Sequence, residues 1–324
     1  MESSKKRVDM WIDCDPGHDD CFGLTLACYP PPPIAVNLLG VSTVHGNQTV
    51  DKTAGNALNW LHACGVEDVD VYRGQAAPLV RKAAICPEIH GESGLDGFAF
   101  PQPHKGVRTE KAVMAMADRI MGNEGKVTIA ATGCLTNIAL LLTLFPEVKP
   151  QVDRIVMMGG AMGLGNTGPV MEWNIQIDPE AAHIVFESGL DVWMVPLEVT
   201  HKALLTQEHL QTIKQMGGPF SSCCVSLLTF FSSTYSRVFA FDQPPLHDPC
   251  AMWCAISKGK GFTHKKIRVD IEMASSLTAG QTVCDFFNLT HKTPNVQVCT
   301  DMDLQEFWRV MLEAVRRAAE RSPL

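Results

Sequence analysis

The sequence predicts an α/β fold in which an open, mainly parallel sheet of Rossmann-like kind carries helices on both faces. Three observations lead there. Short β-branched or apolar runs alternate with helix-period stretches through about the first 200 residues. Each intervening helix is long enough to cross over between parallel strands. A cluster of acids follows directly on the first apolar run, at the strand edge where such sheets hold their ligands.

In chain order, strands are expected at residues 8–12, 34–44, 69–72, 127–131, 154–158 and 192–199. Helices are expected at residues 19–28, 50–63, 109–121, 136–145, 179–188 and 207–215. Asp178-Pro179 supplies an N-cap followed by proline at the first helical position, and Ser188-Gly189 a stop. The last third changes character: a long helix at 220–239, another after Asp248, strands near 266–272, 282–286 and 296–299, and a closing helix at 301–319. The proline run at 30–33 is a stiff connector, and 101–106 belongs to a loop. No internal repeat or low-complexity block divides the chain, so residues 1–324 are expected to form one domain. Two segments rich in glycine and polar residues, 91–97 and 159–174, are the loops expected to carry function.

Composition narrows the partners. The chain is 46% hydrophobic and 19% charged, as in ordinary globular proteins. Its net charge is 27 − 35 = −8, with basic runs only at Lys5-Lys6-Arg7 and Arg316-Arg317. Nucleic acid and anionic membranes both demand concentrated positive charge, so neither is an expected partner. The first residues lack the apolar run of a secretory signal, and the longest apolar stretch, about 138–145, is far short of a membrane span. Twelve scattered cysteines show neither paired CxxC spacing nor an alternating Cys/His series, so reduced thiols in a cytoplasmic protein are expected, without a cysteine zinc site.

The strongest local feature is Asp13-Cys14-Asp15-Pro16-Gly17-His18-Asp19-Asp20. Pro16-Gly17 turns the chain between strand and helix, so up to four carboxylates could converge at one strand end. Taken singly, these are turn and cap residues. Together they crowd like charge at a cost that a cation would offset, and hard oxygen donors suit Ca²⁺ or Mg²⁺ better than zinc. His247-Asp248-Pro249, opening a helix, offers one further carboxylate.

The segments DCDPGHDD, HGNQT, IHGESGLDG, ATGCLTNIA, GNTGPVMEWNIQIDPEAA and HDP stand in the order found in the inosine-uridine-preferring nucleoside hydrolase family, which the chain resembles over most of its length. The resemblance implies the nucleoside hydrolase fold, a tightly bound Ca²⁺ and hydrolysis of the N-glycosidic bond of ribonucleosides. On these positions it implies that Asp15 ligates Ca²⁺ and activates a metal-bound water, that Asp20 and Asp248 complete the carboxylate set, and that the Thr132 carbonyl adds a ligand. Asp13 would support the loop from behind. Asp19, Asn47, Asn166, Glu172 and Asn174 would hold the ribose, and His247 would protonate the departing base. It also implies a homodimer or homotetramer.

Two alternatives come from the same residues. Asp13-x-Asp15 after an apolar strand also resembles the start of haloacid-dehalogenase-type phosphatases, but Gly17-His18-Asp19-Asp20 departs from their continuation. A non-catalytic Ca²⁺ or ribonucleoside-binding protein would keep the same ligands without turnover. Base preference stays open, with the aromatic segment at 220–241 as one potential wall and Glu92 and Asp96 unassigned.

Overall fold

The computed structural model describes residues 6–324. Its first half runs β1 (Lys6–Cys14), α1 (His18–Cys28), β2 (Ile34–Thr43), α2 (Val50–Ala63), β3 (Val71–Arg73), α3 (Pro87–His90), α4 (Ala112–Met121), β4 (Val127–Ala131) and α5 (Thr136–Leu144). Next come β5 (Val152–Met158), α6 (Trp173–Gln176), α7 (Pro179–Phe186), β6 (Val192–Val195), α8 (Leu197–Thr200) and α9 (Gln207–Met216). The chain closes with α10 (Gly218–Phe239), α11 (Asp248–Ser257), β7 (Phe262–Ile271), β8 (Thr282–Asp285), β9 (Val296–Met302) and α12 (Leu304–Ala319).

Among the described residues nine strands form one sheet in the order β3-β2-β1-β4-β5-β6-β9-β7-β8. Pairing is parallel from β3 through β9, and β7 adds antiparallel to β9 and β8. All five residues of β4 are buried, as expected of a strand covered on both faces. Along β1 the period-2 alternation sends Met10, Ile12 and Cys14 into one core, with α1, α2, α10, α11 and α12, and Trp11 into the other, with α4, α5 and α7. The order β3-β2-β1-β4-β5-β6 reverses direction between β1 and β4, which opens a crevice beyond their carboxyl ends.

Several expected boundaries move for local reasons. The strand expected at 192–199 ends at Val195, because Pro196 has no N–H for the ladder and starts α8. The closing helix starts at Leu304, not 301: β9 runs to Met302, and Asp303 caps the helix by accepting the Glu306 N–H at 3.0 Å. Helices α3 and α6 and the 3₁₀ turn Pro146–Gln151 are too short to show a period and were not expected. Of the basic run Lys5-Lys6-Arg7, Lys5 lies outside the described residues, and Arg7 is bonded to Asp9. Among the described residues no helix is long and apolar enough to cross a membrane.

Candidate active site

β1 delivers the acidic run to the carboxyl edge of the sheet, the strand stops at Cys14, and α1 begins at His18. Asp13, Asp15 and Asp20 are buried, and Asp19 nearly so. Asp13 Oδ1 accepts from Ser42 Oγ and, at 2.7 Å, from Asn137 Nδ2, so it faces the neighbouring strand and helix and does not line the cleft. Asp15 Oδ2 accepts the Asn47 N–H at 2.7 Å, while its Oδ1 has no hydrogen-bond partner among the described residues. Asp20 gathers the Gly17 N–H at 3.0 Å, Asn47 Nδ2 at 3.2 Å and Thr132 Oγ1 at 2.7 Å. One oxygen each from Asp19, Asp20 and Asp248 lies within 4.8 Å of the others.

Burial, with no lysine or arginine among the described residues lining the cleft, sets the electrostatics. Burial first, and then Asp20, pushes the Asp15 carboxyl well above the usual range; burial and then Asp19 do the same to Asp248. Asp19 is raised to about 7 by burial and by Asp20, and Asp20 itself is raised by burial. Such a set holds its charge only beside a cation.

Above this floor opens a cleft of about 330 Å³, within the range of small-molecule sites. Asn174 Nδ2 donates to the Thr132 carbonyl at 2.8 Å and to the Met158 carbonyl at 3.2 Å, and its buried Oδ1 is unpartnered. Glu172 caps α6: Oε1 accepts the Asn174 N–H at 2.9 Å, and Oε2 accepts the Gly160 N–H at 2.8 Å and the Ile175 N–H at 3.2 Å. Burial raises its carboxyl to about 7 despite these donors. Asn166 Oδ1 accepts the Trp173 N–H at 3.0 Å, tying the loop before α6 across the mouth.

His247 stands at the start of α11, and its N–H reaches Asp19 Oδ2 at 3.2 Å. Both ring nitrogens are engaged: Nδ1 lies 2.7 Å from Thr200 Oγ1, and Nε2 lies 2.8 Å from the Tyr235 hydroxyl. Burial, then His201, holds the imidazole well below its usual value, so it is neutral at pH 7.

Residues 10–309 match the family described as inosine-uridine preferring nucleoside hydrolase. The chain belongs to that family. A probable ribonucleoside hydrolase of Dictyostelium discoideum is 41% identical over 96% of this chain and 95% of its own length. The pyrimidine-specific ribonucleoside hydrolase RihA of Citrobacter koseri is 43% identical over 93% and 96%. Among solved structures, the purine-preferring ribonucleoside hydrolase from Gardnerella vaginalis superposes with a TM-score of 0.88 at 27% identity, covering 96% of this chain and 99% of that one. A member of this family is an N-glycosyl hydrolase, and the open, mainly parallel sheet expected from the sequence is the fold shared with that solved structure.

Within this nucleoside hydrolase fold, Asp19, Asn47, Thr132, Asn166, Glu172, Asn174, His247 and Asp248 all line one cleft, with Asp15 and Asp20 beneath it. The closest carboxylate triad contains Asp19, placed with the ribose from sequence, and not Asp15, placed with the cation. Glu172 spends both oxygens on backbone N–H groups. Glu92 and Asp96 do not reach the cleft; Asp96 instead closes its own loop by accepting the N–H groups of Glu92 and Ser93. Sequence reading missed His90 as a cleft residue, and named the 220–241 segment as a potential wall without singling out Tyr235. The signals were present, in the histidine of IHGESGLDG and in the aromatic segment at 220–241, but an aromatic stripe reads the same whether it faces core or ligand.

Proposed function

We propose that the cleft hydrolyses the N-glycosidic bond of ribonucleosides to free base and ribose in a Ca²⁺-dependent reaction. The observation that carries this reading is the buried carboxylate cluster at the strand switch point, with Asp15 Oδ1 left as an acceptor without a donor. Asp15, Asp20, Asp248 and the Thr132 carbonyl are an all-oxygen donor set that fits Ca²⁺. When bound, the ion would neutralise the carboxylates and acidify the attacking water.

The remaining chemistry falls to the chain's own groups. Asp15 Oδ1 takes the proton of the water whose oxygen bonds to the ribose carbon. As the carbon–nitrogen bond breaks, its electron pair leaves with the base and the sugar becomes oxocarbenium-like, a charge that the surrounding carboxylates and amide oxygens stabilise. Asp19, Asn47, Asn166, Glu172 and Asn174 orient the sugar. The departing base is protonated from solvent by way of the pair formed by the neutral His247 imidazole and the Tyr235 hydroxyl, joined at 2.8 Å, each passing one proton on as it takes one up. A relative at 43% identity is pyrimidine-specific and the purine-preferring structure is 27% identical, which favours uridine over inosine as the first substrate to try.

The test is release of base and reducing sugar from uridine and inosine, with Ca²⁺ supplied or chelated and phosphate varied. Turnover should need no phosphate, vanish with chelator, and fall by ~10²–10⁴ in Asp15→Asn. Full activity in that variant would remove Asp15 from the reaction. Metal-dependent nucleoside binding without turnover would favour the non-catalytic reading.

A further inference from the structure

We propose a second metal site, of zinc type, beside the end of α2 and built from His62, Glu67 and His104. His62 lies in the last turn of α2, Glu67 just beyond it, and His104 in the 101–106 loop that folds back over both. One donor atom from each residue lies within 4.8 Å of the other two. The two imidazoles meet edge to face, with ring centroids 5.1 Å apart at 87°.

His62 supplies the independent sign of a ligand. Its side chain is only 10% exposed and its buried Nδ1 has no hydrogen-bond partner among the described residues, although Glu67 Oε1 stands 3.4 Å away. That separation is long for a hydrogen bond between these atoms. It equals the edge, about 3.4 Å, of a tetrahedron whose donors lie about 2.1 Å from a central ion. Lys105 also lines the hollow, where its Nζ pairs with Asp70 Oδ1 at 2.9 Å.

Two imidazoles and one carboxylate form a borderline donor set suited to Zn²⁺, unlike the all-oxygen set under the cleft. Glu67 and His104 are exposed, which leaves a fourth position to solvent. The three residues line a separate hollow with Leu58, Leu61 and Pro103, and none of them lines the catalytic cleft. An ion here would clip the loop to α2, close to where Phe100 meets Trp60 edge on.

The experiment uses the full chain stripped of metal. Zn²⁺ uptake is measured after dialysis, and Co²⁺ uptake by visible absorption, for the unchanged protein, His104→Ala, Glu67→Gln and Asp248→Asn. The unchanged protein and Asp248→Asn should both take up a zinc equivalent and show the intense bands of four-coordinate cobalt with nitrogen ligands. His104→Ala and Glu67→Gln, changed at exposed positions, should bind that equivalent at least tenfold more weakly and lose the bands. Zn²⁺ should raise the melting temperature of the unchanged protein but not of His104→Ala. Equal zinc affinity in His104→Ala and the unchanged protein, or cobalt spectra showing oxygen ligation alone, would overturn the site.

Discussion

Asp15 is held against the backbone of Gly46, where φ is +156° and an added Cβ would stand 2.0 Å from Asp15 Oδ2. Gly46→Ala must therefore displace the carboxylate from its bond with the Asn47 N–H. Because a shift near 1 Å at a reacting group costs roughly 10²-fold, kcat for uridine should fall by about that factor while the protein stays folded by circular dichroism. A kcat near that of the unchanged protein would separate Asp15 from the chemistry. Next to Gly46, His45 carries a different burden. It is 1% exposed, its Nδ1 is unpartnered, and burial lowers its pKa to about 4. With a lowered value in the folded state, its contribution to stability is present above about 6.5 and is lost as pH falls toward 4. Between pH 7 and pH 5 the unchanged protein should lose about 2 kcal/mol relative to His45→Gln, read by urea unfolding in chelator. Parallel pH curves for the two proteins would refute the assignment.

Asp178 shows how one cap joins several elements. Its Oδ1 accepts the Ala181 N–H at 3.1 Å at the start of α7, and its Oδ2 accepts the Leu79 N–H at 3.0 Å and the Thr136 hydroxyl of α5. A simple N-cap is worth about 1 kcal/mol, but Asp178→Ala also takes away the charged acceptor of a buried hydroxyl and of a loop N–H, so a loss of about 2–4 kcal/mol is expected in urea unfolding. A loss below about 1 kcal/mol would mean that only the helix cap matters. The start of α7 was legible because Asp-Pro is a local signal; Leu79 and Thr136 were not, because only the fold brings them there. The same division runs through the site. The acidic run after β1 announced itself through strand end and turn, both local. Tyr235 did not, since the buried face of α10 continues from core to cleft without a change of period. The closing of Glu172 onto its own helix start depends on α6, a single turn too short for any pattern.

For the molecule as a whole, the open, mainly parallel sheet was legible in the succession of strands and helices, but the order of its strands, its two cores and the energetic consequence of the cluster were not, because all three depend on contacts distant in sequence. The chain carries a net charge of −8 and buries Asp15, Asp19, Asp20 and Asp248 together, with no lysine or arginine among the described residues lining the cleft. Without a cation, that cluster opposes folding, because each ionised oxygen loses solvent and faces like charge. Binding of Ca²⁺ to the folded state alone should therefore stabilise the protein, by about 2.7 kcal/mol at a hundredfold excess over its Kd, or several degrees in melting temperature. Asp248→Asn provides the decisive comparison. It removes one of the crowded charges, so in chelator it should melt at or above the unchanged protein, yet it should lose most of the rise with Ca²⁺. A variant that melts lower in chelator and still responds fully to Ca²⁺ would show that Asp248 serves the fold as a helix-start residue and holds no ion. The opposite pattern, a gain in stability coupled to loss of the metal response, would mark the cluster as charge assembled for catalysis at the expense of folding.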